Sequence, residues 1–163
     1  MNLEQVNGSR ENMSALEEKV DTLLRYCVAD SAQLRRRYQL DLLALLGAHA
    51  RDELAGRIDR ALLDLGVPDH LLGYRYLQAA IAQVAQEPEL AYCVTGGLYP
   101  VVARQFGTTG NLVERAIRHA VESGWNRCEQ IMRERYFGGK IRPGRQKPTN
   151  AEFIARVANI VRN

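Results

Sequence analysis

Between Asn111 and Glu122 the chain places Asn111, Glu114, Arg115, Arg118 and Glu122 at spacings that a helix would gather on one side. The residue types are matched to nucleic-acid chemistry. Arginine can donate two hydrogen bonds to guanine N7 and O6, glutamate can accept from cytosine N4, and asparagine can bond both edge groups of adenine. The same pattern also fits an ordinary amphipathic helix whose charged side is merely solvated, with Glu114 and Arg118 as a stabilising i,i+4 pair. Both readings stay open at this point.

To act on DNA these side chains need a helix held outward, and the flanking residues supply one. Val102, Ala103 and Phe106 give a preceding helix its apolar face, and Gly107 suits the left-handed conformation that commonly follows a helix C-terminus. Thr108 and Thr109 can each offer a hydroxyl to the free N–H groups of a second helix. Leu112, Val113, Ala116, Ile117, Ala120 and Val121 mark the expected inward side of that helix. Tyr99 to Glu122 therefore reads as a helix, a tight Gly-containing turn and a recognition helix. Arg104, and Lys140, Arg142, Arg145 and Lys147 in the Gly- and Pro-rich stretch Gly138 to Pro148, are candidates for phosphate contact. That stretch reads equally well as an exposed connector.

The remainder of the chain is expected to be helical. Residues 1 to 9 are polar and expected to fray. Met13, Leu16, Val20, Leu23 and Cys27 follow the spacing of a short coiled-coil seam, and Asp30 or Ser31 can cap a second helix. That helix carries Leu34, Tyr38, Leu42, Leu45 and Leu46 on one stripe and Arg35, Arg36 and Arg37 near its start, the arginines reading as a solvated or partner-contacting face. Gly47 is expected to loosen the chain before a helix from Arg51 to Leu65, which GVP at Gly66 to Pro68 ends. A helix from His70 to Gln86 follows, then a short segment from Leu90 to Thr95. Trp125, Ile131 and Met132 are expected to fill the core beyond the recognition helix. Thr149 and Glu152 have capping-box spacing, opening a last helix with Phe153, Ile154, Val157, Ile160 and Val161 inward. The expected fold class is all-α: a multi-helix bundle over 51–163 containing a helix-turn-helix, preceded by a helical extension over 1–50 that could dimerise.

Composition narrows the function classes. A chain of 163 residues with 46% hydrophobic and 25% charged residues has the profile of a globular protein. It has no apolar run near the roughly 20 residues of a membrane span and no basic segment leading into an apolar one at the N-terminus, so a cytoplasmic, nucleoid-associated location is expected. The net charge of only +3 conceals a polarity, because residues 102 to 148 hold ten Lys and Arg against four Asp and Glu. Local charge is what releases counterions from DNA, so this concentration favours a nucleic-acid partner. Cys27, Cys93 and Cys128 lack metal or disulfide spacing and are expected to be reduced and mostly buried. No metal, cofactor or enzymatic activity is expected, since nothing pairs a nucleophile with a base or gathers ligands.

Several separated motifs resemble one known family. VERAIRHAVESGW from Val113 to Trp125, LYP from Leu98 to Pro100, KPTNAEF from Lys147 to Phe153 and LGVPDHLLGYRYLQAAI from Leu65 to Ile81 are similar to the DNA-binding effector domain of the sporulation master response regulator of endospore-forming bacteria. The resemblance runs from about Asp52 to Asn163. It implies an all-helical domain that binds double-stranded DNA through a helix-turn-helix, with two copies on tandem or repeated sites. By position it implies base-edge roles for Glu114 and Arg115, and DNA contact through phosphate for Arg118 and His119. Leu112 stands where the family carries an arginine, which implies one missing base contact and an altered target. The family's regulator begins with a phosphoacceptor receiver domain, which is not expected within these 163 residues.

The function expected is sequence-specific transcription regulation, with Arg104, Thr108, Thr109, Asn111, Glu114, Arg115, Arg118, His119 and Lys147 at the DNA. A homodimer formed through the N-terminal helices or on tandem sites is expected, and RNA polymerase is a candidate further partner. The competing class is an interaction module with the same fold that titrates a regulator rather than reading DNA.

Overall fold

The computed structural model describes residues 17–22, 32–138 and 147–163. The seam positions Met13, Leu16, Leu23 and Cys27, the cap at Asp30 or Ser31, the side chains of Leu34, Arg35, Arg37 and Tyr38, and the loop cations Lys140, Arg142 and Arg145 lie outside the described residues. The chain divides into two compact units, Met1–Ala50 and Arg51–Asn163. Among the described residues every regular element is helical, and none of the helices is long and apolar enough to cross a membrane.

The first unit contains a helical segment over 17–22 and the opening of helix α1 (Ala32–Asp64). Glu17, Glu18, Asp21, Arg36, Leu40 and Leu43 line a groove of about 620 Å³ within it. Leu40, Leu43 and Leu45 are all exposed. Gly47 does not loosen the chain; it lies inside α1. A helical glycine costs only about 1 kcal/mol relative to alanine, and Leu45, Leu46, Ala48 and Ala50 around it are strong helix formers.

In the second unit the last turns of α1 supply Ile58 and Leu62 to the core, and the turn that follows supplies Leu65. Helix α2 (Leu72–Gln86) follows, then a 3-10 turn (Pro88–Tyr92), a π turn (Val94–Leu98), α3 (Tyr99–Phe106), α4 (Gly110–Arg127), α5 (Gln130–Phe137) and α6 (Asn150–Arg162). Helix α2 is the central element: α4 and α6 both pack against it, and against each other. Its Leu77, Ala80 and Ile81 are wholly buried, as are Val102 of α3, Ile117 of α4 and Phe153 and Ile154 of α6. Gly73 lets α2 and α4 approach at backbone distance. A Cβ there would stand 2.0 Å from the carbonyl oxygen of Ala116, so no other residue fits without moving α4.

Two buried tyrosines tie α1 to its neighbours. The Tyr74 hydroxyl donates to Asp59 Oδ1 at 2.9 Å, and the Tyr136 hydroxyl donates to Asp64 Oδ2 at 2.8 Å. Burial, then the adjoining carboxylates, pushes the Tyr74 phenol well above its usual range and the Tyr136 phenol up to about 12. An aromatic run closes the far end, with Trp125 edge-on to Phe137 at 5.2 Å and Phe137 tilted against Phe153 at 5.8 Å.

Three expectations are corrected here. Trp125 lies within the recognition helix rather than beyond it, because α4 runs to Arg127. Ile131 is 66% exposed: α5 has only eight residues and turns Tyr136 and Phe137 inward instead. Cys93 is exposed while Cys128 is buried, since Cys93 falls between the 3-10 and π turns.

Candidate nucleic-acid interface

The turn ahead of α4 is built as its residue types require. Gly107 takes φ 63° and ψ 38°, and the Thr108 N–H reaches back to the Ala103 carbonyl at 2.9 Å, closing α3 with a Schellman-type bond. Thr109 is extended and caps α4, its Oγ1 accepting from the Leu112 N–H at 3.4 Å. The other threonine is not a cap. Thr108 is half-buried, and no side-chain hydrogen bond of it is found among the described residues.

Helix α4 buries Val113, Ile117, Ala120, Val121, Gly124 and Trp125 on its inner side. What is left outside is wider than one stripe and divides in two. Asn111, Glu114, Arg118 and Glu122 border a groove of about 1190 Å³, whose other wall includes Lys147 and Asn150 at the start of α6. Leu112, Arg115 and His119 do not line that groove, and all three are exposed. Arg115 thus separates from the glutamates and arginine with which its spacing grouped it.

The two stripes also differ in charge pairing. On the groove side Arg118 bonds Glu114, and Lys147 bonds Glu122 across the groove. The Lys147 ammonium holds the Glu122 carboxyl below the ordinary carboxylate range. On the outer side neither Arg115 nor His119 has a hydrogen-bond or ion-pair partner among the described residues. Arg104 of α3 is likewise exposed, and it does not line the groove.

Sequence reasoning missed the residues that hold the groove open. Asn150 donates from Nδ2 to the Tyr99 hydroxyl at 3.2 Å and to the Glu114 carbonyl at 3.3 Å, pinning the start of α6 to both α3 and α4. Arg133 lines the same groove, its guanidinium over the Trp125 ring at 5.7 Å and donating to the Cys128 carbonyl at 3.0 and 2.8 Å. The signal for Asn150 was its position directly after the capping threonine. Arg133 had none, because one arginine in a short polar helix is unremarkable. The capping box itself is present, with Thr149 Oγ1 accepting from the Glu152 N–H at 3.2 Å and the Thr149 N–H donating to Glu152 Oε2 at 2.8 Å.

A helix fixed at its N-terminus, buried along one side and lined outside with arginine, asparagine and glutamate has the shape and donor set that a major groove accepts. Among the described residues no cluster of three His, Cys, Asp or Glu side chains could hold a metal ion. The model of the family described as sporulation initiation factor Spo0A C terminal matches residues 58–161, well over half of the chain, and spans α2 through α6 almost entirely. The chain belongs to that family, whose members are DNA-binding effector domains of sporulation regulators rather than enzymes.

Proposed function

We propose that this protein is a sequence-specific transcription regulator that lays α4 in the major groove. Arg115 reads a guanine directly, being exposed and already without a protein partner. Glu114 reads a cytosine N4 once Arg118 leaves it for a phosphate, an exchange of one charged partner for another. Asn111 stands at the opening of the helix, where it can reach a base edge or the backbone, and Thr108 and Thr109 sit beside it at the turn. Arg104, His119 and Lys147 hold phosphates and fix the register without reading sequence. The observation that carries this reading is the unpaired, outward Arg115 on a capped helix. Selection of bound duplexes from a random pool tests it. A defined site should emerge, and Arg115→Ala should erase preference for one guanine in it; a pool that stays random under selection would sink the reading.

The helical extension ahead of the family match gives the regulator its second copy. Leu40 and Leu43 are 63% and 61% exposed and lie one turn apart on α1, more apolar surface than a lone helix gains from showing to water. Pairing through this surface makes the protein dimeric without an aspartyl-phosphate switch in this chain and suits it to repeated half-sites. Sedimentation of the full chain should give a dimer, and Leu40→Glu with Leu43→Glu a monomer. A monomer for both would remove the pairing surface. A dimer that shows no preference among DNA sequences would instead favour an antagonist that titrates another regulator.

A further inference from the structure

Leu112 stands out on α4. Every other large apolar residue of that helix points into the core, yet Leu112 is 52% exposed. It is not a frayed position, because the Thr109 cap holds its own N–H. It lies three residues before Arg115 and seven before His119, on the stripe outside the groove. In the free protein this placement gains nothing, and a leucine can neither donate nor accept a hydrogen bond.

We propose that Leu112 is a specificity-determining residue that packs on the C5-methyl group of a thymine, within two base pairs of the guanine read by Arg115. The methyl group of thymine is the apolar feature that the major-groove edges of the bases present, and it is the natural counterpart of an exposed aliphatic side chain there. The spacing agrees. Three helical residues rise about 4.5 Å and a base step about 3.4 Å, so the two side chains reach adjacent or next-adjacent pairs. Leu112 thus supplies an apolar contact beside the hydrogen-bonding Arg115, and the site gains a preference for thymine. The inference rests on the proposed reading of DNA by α4.

Deoxyuridine isolates the methyl group, since replacing thymine with uracil removes it and leaves every hydrogen bond intact. With full-length protein and a duplex obtained by selection, each thymine near the Arg115-dependent guanine is replaced in turn and binding is followed by fluorescence anisotropy. One replacement should weaken the native protein about fourfold, the equivalent of one methyl returned to water. Leu112→Ala should bind the thymine and uracil duplexes equally while keeping the native salt dependence. Leu112→Gln, which keeps the length and adds amide groups, should move the preference at that pair from thymine toward adenine. Equal affinity of native protein for thymine and uracil at every position, on a duplex it still selects, would overturn the role of Leu112 alone. Failure to select any duplex would overturn it together with the reading of DNA by α4.

Discussion

The two exposed stripes of α4 are both rich in polar side chains, and they are in different states of readiness. On the outer stripe Arg115 faces solvent without a hydrogen-bond or ion-pair partner among the described residues, so DNA can engage it at no cost in protein contacts, and His119 gives up only its attraction to the Glu122 carboxylate. On the groove stripe Glu114 with Arg118, and Glu122 with Lys147, already neutralise each other. A phosphate must outbid a carboxylate there. Exposure alone therefore does not rank the members of such an interface; what each charge must give up does.

Both stripes depend on α4 staying seated, and the largest effect comes from unseating it. Gly73→Ala forces a methyl group against the Ala116 carbonyl and should destabilise the fold by about 1–3 kcal/mol, seen as a lower denaturant midpoint, with both stripes losing function together. Next in size, Arg115→Ala should cost about 1–3 kcal/mol of discrimination at one base pair, read as a loss on the matched duplex with little change on a mismatched one. Lys147→Ala should weaken binding to all sequences and reduce the salt slope by about one, because it removes one phosphate contact. Removing the acid instead sharpens the contrast. Glu122→Gln frees Lys147 and should tighten binding to every duplex by less than about 1 kcal/mol, the scale of an exposed ion pair.

Two pH effects separate the interface from its support. Because the Glu122 carboxyl titrates below its usual value in the folded protein, its pair adds stability above that value and loses it as pH falls through the lowered one. Both side chains are about half exposed, so the loss amounts to a few tenths of a kcal/mol and should vanish in Glu122→Gln. The Tyr136 phenol is shifted the other way, up to about 12, so its bond to Asp64 adds stability that is complete below pH 10 and disappears as pH rises through about 12. Thermal unfolding across pH 9 to 12 should show this for the native protein and less for Tyr136→Phe, with DNA discrimination unaffected at neutral pH.

Much of the fold was legible because local chemistry decides it. Gly107 takes the left-handed conformation its place predicted, Thr149 and Glu152 form their box, and Phe153, Ile154, Val157 and Val161 are inward. Where the reading failed, a weak local preference met a stronger neighbour. Gly47 favours a break in a helix that its leucine and alanine neighbours sustain, and the apolar Ile131 suits a core that Tyr136 and Phe137 already fill. The division of α4 was not legible, since spacing of three and four residues defines an outward arc but not which part another element will flank. Lys147 comes 25 residues after Glu122 in the chain, and nothing in either residue announces that they meet.

Arg115 and Arg118 are one turn apart on the same helix, and the distinction between them is the most direct measurement to make. Affinities of native protein, Arg115→Ala and Arg118→Ala for a matched and a mismatched duplex, at two salt concentrations, separate the stripes. Arg115→Ala should lose affinity on the matched duplex alone, and Arg118→Ala should lose it equally on both with a shallower salt slope. Equal losses on both duplexes for Arg115→Ala, with discrimination lost instead in Arg118→Ala, would contradict the account.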